Sequence, residues 1–318
     1  MFSAAGIDEG AHVGLAGYKY FEDENLFDVP EYIVNELRRA AGEENLVNFT
    51  RELTGLPDGL RMTVRTPEEI SVIAYRSAKV ANVMRRLLKS AVPGMTEEEL
   101  SGRGGIDFSP QQTHSMVNFG EESIAMGIKS PSPFVRLVYG GPMSIAYSLR
   151  GSLMCRAAFA AEDMSTIRPE LRKYLETHVM PYWAAVALWY EKIGVGCCSG
   201  ELYDSIHSII GGPSFGFSLN PGHYIGGDEW VNSAFAHGSP IRVHSGSHIQ
   251  CDIIAASPNP VLNAICEDTV VIADSGLRAE LKAEYPALYD EIMMRKTFMY
   301  ESMGIAVNED VLPMSNMN

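Results

Sequence analysis

The stretch "TPEEISVIAYRSAKVANVMRRLLKSAVPGMTEEEL", residues 66–100, decides the fold of this chain, because it predicts two consecutive helices with well-marked ends. Thr66 and Glu69 have the spacing of a capping box, in which each side chain bonds the backbone N–H of the other residue. Apolar residues then recur near the helical period until the Pro93–Gly94 pair, which stops the helix. Thr96 begins a second capping box, so another helix is expected at once.

The segment that follows this helix pair changes character. From residue 109 to 159, short apolar runs are broken by Gly, Pro and Ser, a pattern that predicts strands and hairpins. The same order then returns: a helical stretch over 168–193 that Pro181 should bend or split, a shorter helix near 200–210, and strands and glycine-rich turns over 211–274. Two helices followed by strands, twice over, predict an α/β domain with pseudo-twofold halves.

The two ends of the chain differ from this pattern. A single final helix is expected over 278–304. The first 65 residues predict a short strand within 12–21, a helix within 29–42 and an extended segment over 45–53, about half of a small α/β domain. We therefore expect a partial N-terminal α/β domain at 1–65 and the main domain at 66–318.

Composition restricts the possible partners. The 318 residues are 46% hydrophobic, carry a net charge of −15 and have a pI of about 5.0. An acidic chain without a basic stretch argues against nucleic acid and against an anionic membrane surface, so small molecules or other protein chains are the expected partners. The sequence contains no apolar run of membrane-spanning length, and "MFSAAGIDEG" lacks the features of a signal peptide, which predicts a cytoplasmic protein with its five cysteines unpaired.

The stretch "LNPGHYIGGDEW", residues 219–230, is the most suggestive candidate for chemistry. It places His223 among three glycines and then supplies two carboxylates and a tryptophan. A histidine in a glycine-rich turn often bonds only its own loop, but an imidazole titrates near neutral pH and can take up and return a proton. His223 is therefore a metal ligand, a proton shuttle working without metal, or the remnant of a lost site.

Five stretches, in their order along the chain, resemble the creatinase, aminopeptidase P and methionine aminopeptidase family. They are the opening helix at 66–100, "GGPMSIAYSLRGSLMCR" (140–156), "NPGHYIGGDEW" (220–230), "SGSHIQCDII" (245–254) and "CEDTVVIADSG" (266–276). The resemblance implies the pita-bread fold for residues 66–318 and a homodimer. It also suggests that residues 1–65 correspond to the second half of a longer N-terminal domain.

Active members of this family hold two metal ions with two aspartates, one histidine and two glutamates. The resemblance places His223 at the histidine, Glu267 at the last glutamate and Asp252 at the other glutamate. The two aspartates would fall near Ala146 and Leu153. No Asp or Glu occurs between Glu122 and Glu162, so no realignment of this segment restores them.

Two divalent cations at close range need several anionic ligands to offset their repulsion, and two carboxylates with one imidazole are too few. We therefore expect no metal or other cofactor, and a degenerate dinuclear site. The leading hypothesis is a protein that hydrolyses, or only binds, a small or short-peptide substrate with a carbon–nitrogen bond, with His223 as acid/base and Asp252 and Glu267 beside it. The alternatives are a metal-dependent Xaa-Pro aminopeptidase or dipeptidase using Mn or Zn, and a catalytically inactive binding or assembly module.

Five further residues are expected to contact a substrate. Asp228, Glu229 and Trp230 follow His223, in the region where the family has a pair that lines the substrate pocket, although the segment can also be only an acidic turn. Arg150 and Arg156 lie in a segment with no acidic residue and can anchor a substrate carboxylate. They can equally pair with the acidic residues at 162 and 163.

Other polar and aromatic residues have structural interpretations. His237, His244 and His248 fit no standard spacing of zinc ligands, although His244 and His248 can share one face of a strand. Tyr147 and Tyr224 are expected to pack in the core.

Overall fold

The computed structural model describes residues 2–19, 21, 23–105, 108–217, 219–226, 232–258 and 261–316, apart from the side chains of 170, 256–258 and 261–263. The N-terminal elements are β1 (Val13–Leu15), α1 (Glu31–Ala41), β2 (Leu46–Asn48) and α2 (Thr50–Thr54). Strands β1 and β2 pair in parallel, with a small apolar cluster between them and α1.

The extended segment expected over 45–53 is wrong beyond β2, because the chain turns into the short helix α2. The side chain of Asn48 accepts the backbone N–H of Thr50 at 3.0 Å. This local bond from an asparagine to the residue two positions on favours a turn over continued strand.

The first half of the main domain follows the predicted order. Its elements are α3 (Pro67–Ser90), α4 (Glu97–Gly102), β3 (Met116–Phe119), α5 (Gly120–Met126), β4 (Pro142–Leu149) and β5 (Ser152–Phe159). Both predicted capping boxes form, at Thr66 with Glu69 and at Thr96 with Glu99. The apolar face of α3 packs on β4 and β5, in a core that includes Val80, Met84 and Ile145.

The second half repeats this order. Its elements are α6 (Pro169–Tyr174), a π-helical segment (Leu175–Val179), α7 (Met180–Lys192), α8 (Ser199–Ile210), β6 (His223–Tyr224), β7 (His248–Cys251), β8 (Ala255–Pro258), β9 (Val261–Ala264) and β10 (Cys266–Ile272). The irregularity expected at Pro181 takes the form of the π-helical segment just before it. A proline has no N–H to donate, and its ring clashes with the carbonyl four residues earlier, which falls in this segment.

The single C-terminal helix expected over 278–304 is wrong in one respect. The structure has two helices, α9 (Ser275–Glu284) and α10 (Pro286–Met303), followed by β11 (Val311–Pro313). The break lies at Tyr285, whose backbone is not helical (φ −130°, ψ 61°). Proline disfavours helical backbone in the residue before it, so Pro286 ends one helix and begins the next.

The two halves join in one sheet, in the order β3-β4-β5-β10-β7-β6, with β11 also paired to β10. All of its neighbouring strands are antiparallel. The halves meet where β5 pairs with the start of β10, at Arg156 opposite Cys266 and Cys155 opposite Glu267. Helices α7 and α8 pack in a second large core with strands of the second half, including Trp189, Leu202 and Ile249.

All five cysteines are free, which confirms the expectation that they are unpaired. Among the described residues, no helix combines the length and the apolar character that crossing a membrane requires.

Candidate functional site

Three strands of the second half bring together one imidazole and two carboxylates. His223 lies on β6, Asp252 directly after β7 and Glu267 on β10, and β7 pairs with both of the other strands. His223 Nε2 is 3.7 Å from Asp252 Oδ2 and 3.6 Å from Glu267 Oε1. The three residues expected to form one site therefore do converge.

Burial sets the electrostatics of this group. Asp252 and Glu267 are only 7% and 5% exposed, and His223 is 1% exposed. Burial raises the pKa of Asp252 to about 8; the nearby Glu267 adds to the rise and His223 opposes it. Burial also raises the pKa of Glu267, with a further contribution from Asp268, while a hydrogen bond from Gln250 opposes the rise. Oxygen atoms of the two carboxyl groups lie within 4.8 Å of each other. When two carboxyl groups are buried this close together, a state in which they share one proton is favoured over a state in which both are ionised.

The orientation of the His223 ring is fixed by its own strand. Nδ1 is 3.0 Å from the carbonyl oxygen of Tyr224, and because a carbonyl can only accept, Nδ1 carries the proton. In the neutral ring, Nε2 is therefore the basic nitrogen, and it is the nitrogen that faces the two carboxyl groups. Gly222 permits this approach: its φ is +130°, and a Cβ there would lie 2.6 Å from the carbonyl oxygen of Gln250.

Gln250 is a site residue that the sequence interpretation missed. Its Nε2 donates to the carbonyl oxygen of Leu153 at 2.8 Å and to Glu267 Oε1 at 3.2 Å, so it holds the Glu267 carboxylate and ties the two halves of the sheet together. The available signal was its position two residues before Asp252, because such residues share one face of a strand.

The side chains of His223, Asp252 and Glu267 line a cavity of about 450 Å³. Its first-half wall includes Ser144, Ala146, Leu153 and Cys155. His114, just before β3, and Asn118, within β3, also line the cavity. No spacing in the sequence connects these two residues to His223, because they reach the site only through the pairing of β3 with β4.

The first-half wall does not fit a pair of metal ions. Ala146 and Leu153 are buried, and together with Cys155 and Ile265 they form an apolar cluster at the positions where the resemblance calls for aspartates. Cys155, the partner of Ala146 across the hairpin, supplies no carboxylate either. This wall therefore supplies no carboxylate ligand for a metal ion.

The second-half group alone does fit one cation. One ligand atom from each of His223, Asp252 and Glu267 lies within 4.8 Å of the others. Asp252 Oδ1 is buried and has no hydrogen-bond partner among the described residues. A buried carboxylate oxygen without a partner is suited to a cationic group, either a single metal ion or the charged part of a substrate.

The residues expected to bind substrate are placed differently. Asp228, Glu229 and Trp230 lie outside the described residues. Arg156 does not line the cavity beside His223, because its neighbour Cys155 faces that cavity and adjacent residues of a strand point to opposite faces. Arg156 pairs with Asp268 at 2.7 Å, and not with the acidic residues at 162 and 163.

Arg150 also lies away from the cavity, at the exposed turn between β4 and β5, where its carbonyl oxygen accepts a hydrogen bond from Arg76. Its role in substrate binding stays a prediction. A two-residue turn places its side chains at the end of the hairpin, away from the strand faces that form the wall.

Within the described part of the chain, His237, His244 and His248 do not assemble into a zinc site. His237 is exposed and paired with Asp204 at 2.7 Å, and His244 is exposed. His248 is buried on β7, and burial lowers its pKa to about 3, which leaves it neutral. Tyr147 and Tyr224 are buried in the core, as expected.

Comparison with known proteins gives matches at the level of structure only. No protein-family sequence model matches the chain, and no curated protein matches it. The Xaa-Pro dipeptidase from Bacillus anthracis aligns with a TM-score of 0.66 and 15% identity, covering 86% of this chain and 72% of that one. The prolidase from Pyrococcus horikoshii OT3 aligns with a TM-score of 0.66 and 15% identity, covering 85% and 74%.

The X-Pro aminopeptidase from Thermotoga maritima MSB8 aligns with a TM-score of 0.63 and 15% identity, covering 77% of this chain and 68% of that one. These matches agree with the order of helix pairs and strands described above. The chain therefore has the pita-bread fold shared by prolidases, Xaa-Pro dipeptidases and aminopeptidase P.

Proposed function

We propose that this chain is a hydrolase that cleaves a carbon–nitrogen bond in a small substrate carrying a cationic group, with His223 as the acid/base and without a pair of metal ions. One observation supports this most strongly. The basic nitrogen of His223 lies within 4 Å of two buried carboxyl groups at the edge of a cavity of small-molecule size.

His223 would move the proton that hydrolysis requires. Its Nδ1–H is held by the Tyr224 carbonyl, so Nε2 is the nitrogen that would take a proton from the attacking water. The same nitrogen then returns that proton to the departing nitrogen, so that water is added across the bond.

Asp252 and Glu267 would hold the cationic part of the substrate. Both pKa values are raised because the carboxyl groups are buried close together, and a guanidinium or ammonium group would favour the ionised form of each. The unpartnered Oδ1 of Asp252 is the oxygen that such a group would satisfy. The apolar wall at Ala146 and Leu153 would then contact an uncharged part of the same substrate.

The test is product release from a panel of Xaa-Pro dipeptides and small guanidino compounds, measured by detection of the freed amine. We expect turnover of at least one member and a loss of about 10²- to 10⁴-fold in His223→Gln. His244→Gln is the matched control, because His244 is exposed and away from the cavity, and it should retain the full rate. An equal rate in wild type and His223→Gln would refute the role of His223.

A metal-dependent Xaa-Pro peptidase is the second candidate. The grouping of His223, Asp252 and Glu267 favours it, since one imidazole and two carboxylates suit a single Mn or Zn ion, which would polarise the scissile carbonyl. Stoichiometric metal after dialysis, with activity that depends on it, would support this candidate. Binding of panel compounds without any turnover would instead indicate a binding module.

A further inference from the structure

A second cavity lies behind the site, on the opposite face of the sheet. Cys266 and Asp268 flank Glu267 on β10, and neighbouring residues of a strand point to opposite faces. Arg156 is related in the same way to Cys155 on β5. Arg156, Cys266 and Asp268 line a cavity of about 480 Å³ at the seam where the two halves of the sheet meet.

The walls of this cavity are largely aromatic and apolar. They come from the end of β5, from α6, the π-helical segment and α7, and from α10. The core under α3 and the core under α7 and α8 are separate clusters, and the cavity lies at the seam between them. Its aromatic lining consists of Phe159, Tyr174, Tyr182, Trp183, Tyr190 and Phe298.

A few polar groups lie at one end of this apolar space. Arg156 donates to Asp268 Oδ2 at 2.7 Å and to the carbonyl oxygens of Cys155 and Glu267, each at 2.8 Å. The other carboxylate oxygen, Asp268 Oδ1, is buried with no hydrogen-bond partner in the described part of the chain. The hydroxyl of Ser315, which also lines the cavity, is buried and unpartnered in the same sense.

We propose that this second cavity binds an aromatic small molecule that carries a neutral hydrogen-bond donor, such as a hydroxyl group. The volume and the aromatic lining are those of small-molecule pockets, in which a few polar groups fix the orientation. Asp268 Oδ1 requires a donor, and Ser315 can donate or accept.

The charge of the ligand follows from the same residues. Arg156 is paired with Asp268. Arg295, which also lines the cavity, donates to the carbonyl oxygens of Pro313 and Met314 and pairs with Glu291, so both guanidinium groups already have partners. A ligand carboxylate beside Asp268 would be repelled, whereas a neutral donor meets no such penalty. The site is independent of the proposed hydrolysis, because it lies on the other face of the sheet from His223.

The test compares two probes that share one aromatic body, 2-naphthylmethanol and 2-naphthoate, by isothermal titration calorimetry. We expect saturable binding of the alcohol at one site per chain, and binding of the carboxylate at least about tenfold weaker because of Asp268. The His223→Gln variant should bind the alcohol as tightly as wild type does. Absence of saturable binding of the alcohol, or equal affinity for the two probes, would overturn the proposal.

A variant that fills the cavity tests whether the probe binds there. Ala158 lines the cavity and is only partly buried, so Ala158→Trp places an indole where the ligand would lie, and it should abolish binding. Ala279→Trp is the matched control on the exposed surface of α9 and should bind normally. Retained binding in a folded Ala158→Trp protein would place the probe elsewhere and refute the assignment.

A second variant keeps the test decisive if Ala158→Trp does not fold. Phe298 is 42% exposed and lines the cavity from α10, so Phe298→Ala removes an aromatic wall with little effect on the core. We expect it to weaken binding of the alcohol about three- to tenfold, the effect of losing one aromatic contact. Unchanged affinity in this variant would count against the proposal.

Discussion

His223 Nε2 lies 3.6 Å from Glu267 Oε1, although β7 and the β8–β9 hairpin separate the two residues along the chain. They meet because β7 pairs with β6 on one side and with β10 on the other. The distance between the two side chains therefore depends on the register of the β6–β7 and β7–β10 pairs. A slip of one residue in either pairing would turn one of the two side chains to the opposite face of the sheet.

We expect removal of divalent metal to leave the thermal stability of the protein nearly unchanged. A metal bound only to the native state stabilises it by about 2.7 kcal/mol when it is present at a hundredfold excess over its Kd. The first-half wall at Ala146 and Leu153 supplies no ligand for a metal pair, and the proposed function places a cationic substrate group rather than a metal ion beside His223, Asp252 and Glu267, so this contribution should be absent. The measurement is the Tm by calorimetry with and without a chelator; a fall of several degrees that manganese reverses would contradict the account.

Replacing Leu153 by Asp should destabilise the protein without creating a metal site. Leu153 is 4% exposed in an apolar cluster with Ala146 and Ile265, so the new carboxylate would be buried without a partner. We expect the free energy of unfolding to fall by about 3 kcal/mol, as judged from urea denaturation. Dialysis against manganese should leave no bound metal, because Ala146 still offers no ligand.

One control variant separates charge from shape in this experiment. Leu153→Asn has nearly the same shape as Leu153→Asp but no charge, so it should be destabilised less above neutral pH. Stoichiometric manganese in the Leu153→Asp protein would show that the second-half group needs only one more carboxylate, against the expectation here.

Stability should depend on pH through Asp252. Its pKa is raised to about 8 in the folded protein, against about 4 for an unfolded aspartate, so the folded state holds a proton that the unfolded state has released. The stabilisation from that proton is fully present below about pH 4 and is lost as the pH rises through about 8. Asp252→Asn removes the titrating group. As the pH rises from 5 to 8, the free energy of unfolding of this variant should therefore increase relative to that of the wild type.

Urea denaturation at several pH values measures this difference. Asp290→Asn is the matched control, because Asp290 is exposed on α10 and should follow the wild-type curve. A wild-type protein that gains stability relative to Asp252→Asn as the pH rises would show that Asp252 is ionised and paired in the native state, which would contradict the account.

The fold was largely predictable because its signals are local. Thr66 and Thr96 mark the helix starts with capping boxes that do form, and short apolar runs mark the hairpin of β4 and β5. The break at Tyr285 also had a local signal, the proline that follows it, but the helical pattern on both sides outweighed that signal in the prediction.

The site was only partly predictable, because sequence spacing does not give cross-strand contacts. His223, Asp252 and Glu267 were identified through their resemblance to a family pattern. His114 and Gln250 were missed, since they join the site only through strand pairing and side-chain hydrogen bonds. The identity of a residue does not show which face of a sheet it occupies, so the sequence did not reveal that Arg156 lies on the face opposite Cys155.

The most direct test of the central claim is the rate of amine release from a hydrolysed panel substrate, measured after the protein has been stripped of metal with a chelator. The account predicts that the stripped wild-type protein keeps its rate, that added manganese does not raise it, and that stripped His223→Gln is slower by about 10²- to 10⁴-fold. A rate that disappears on stripping and returns with manganese would contradict the claim that His223 acts without metal.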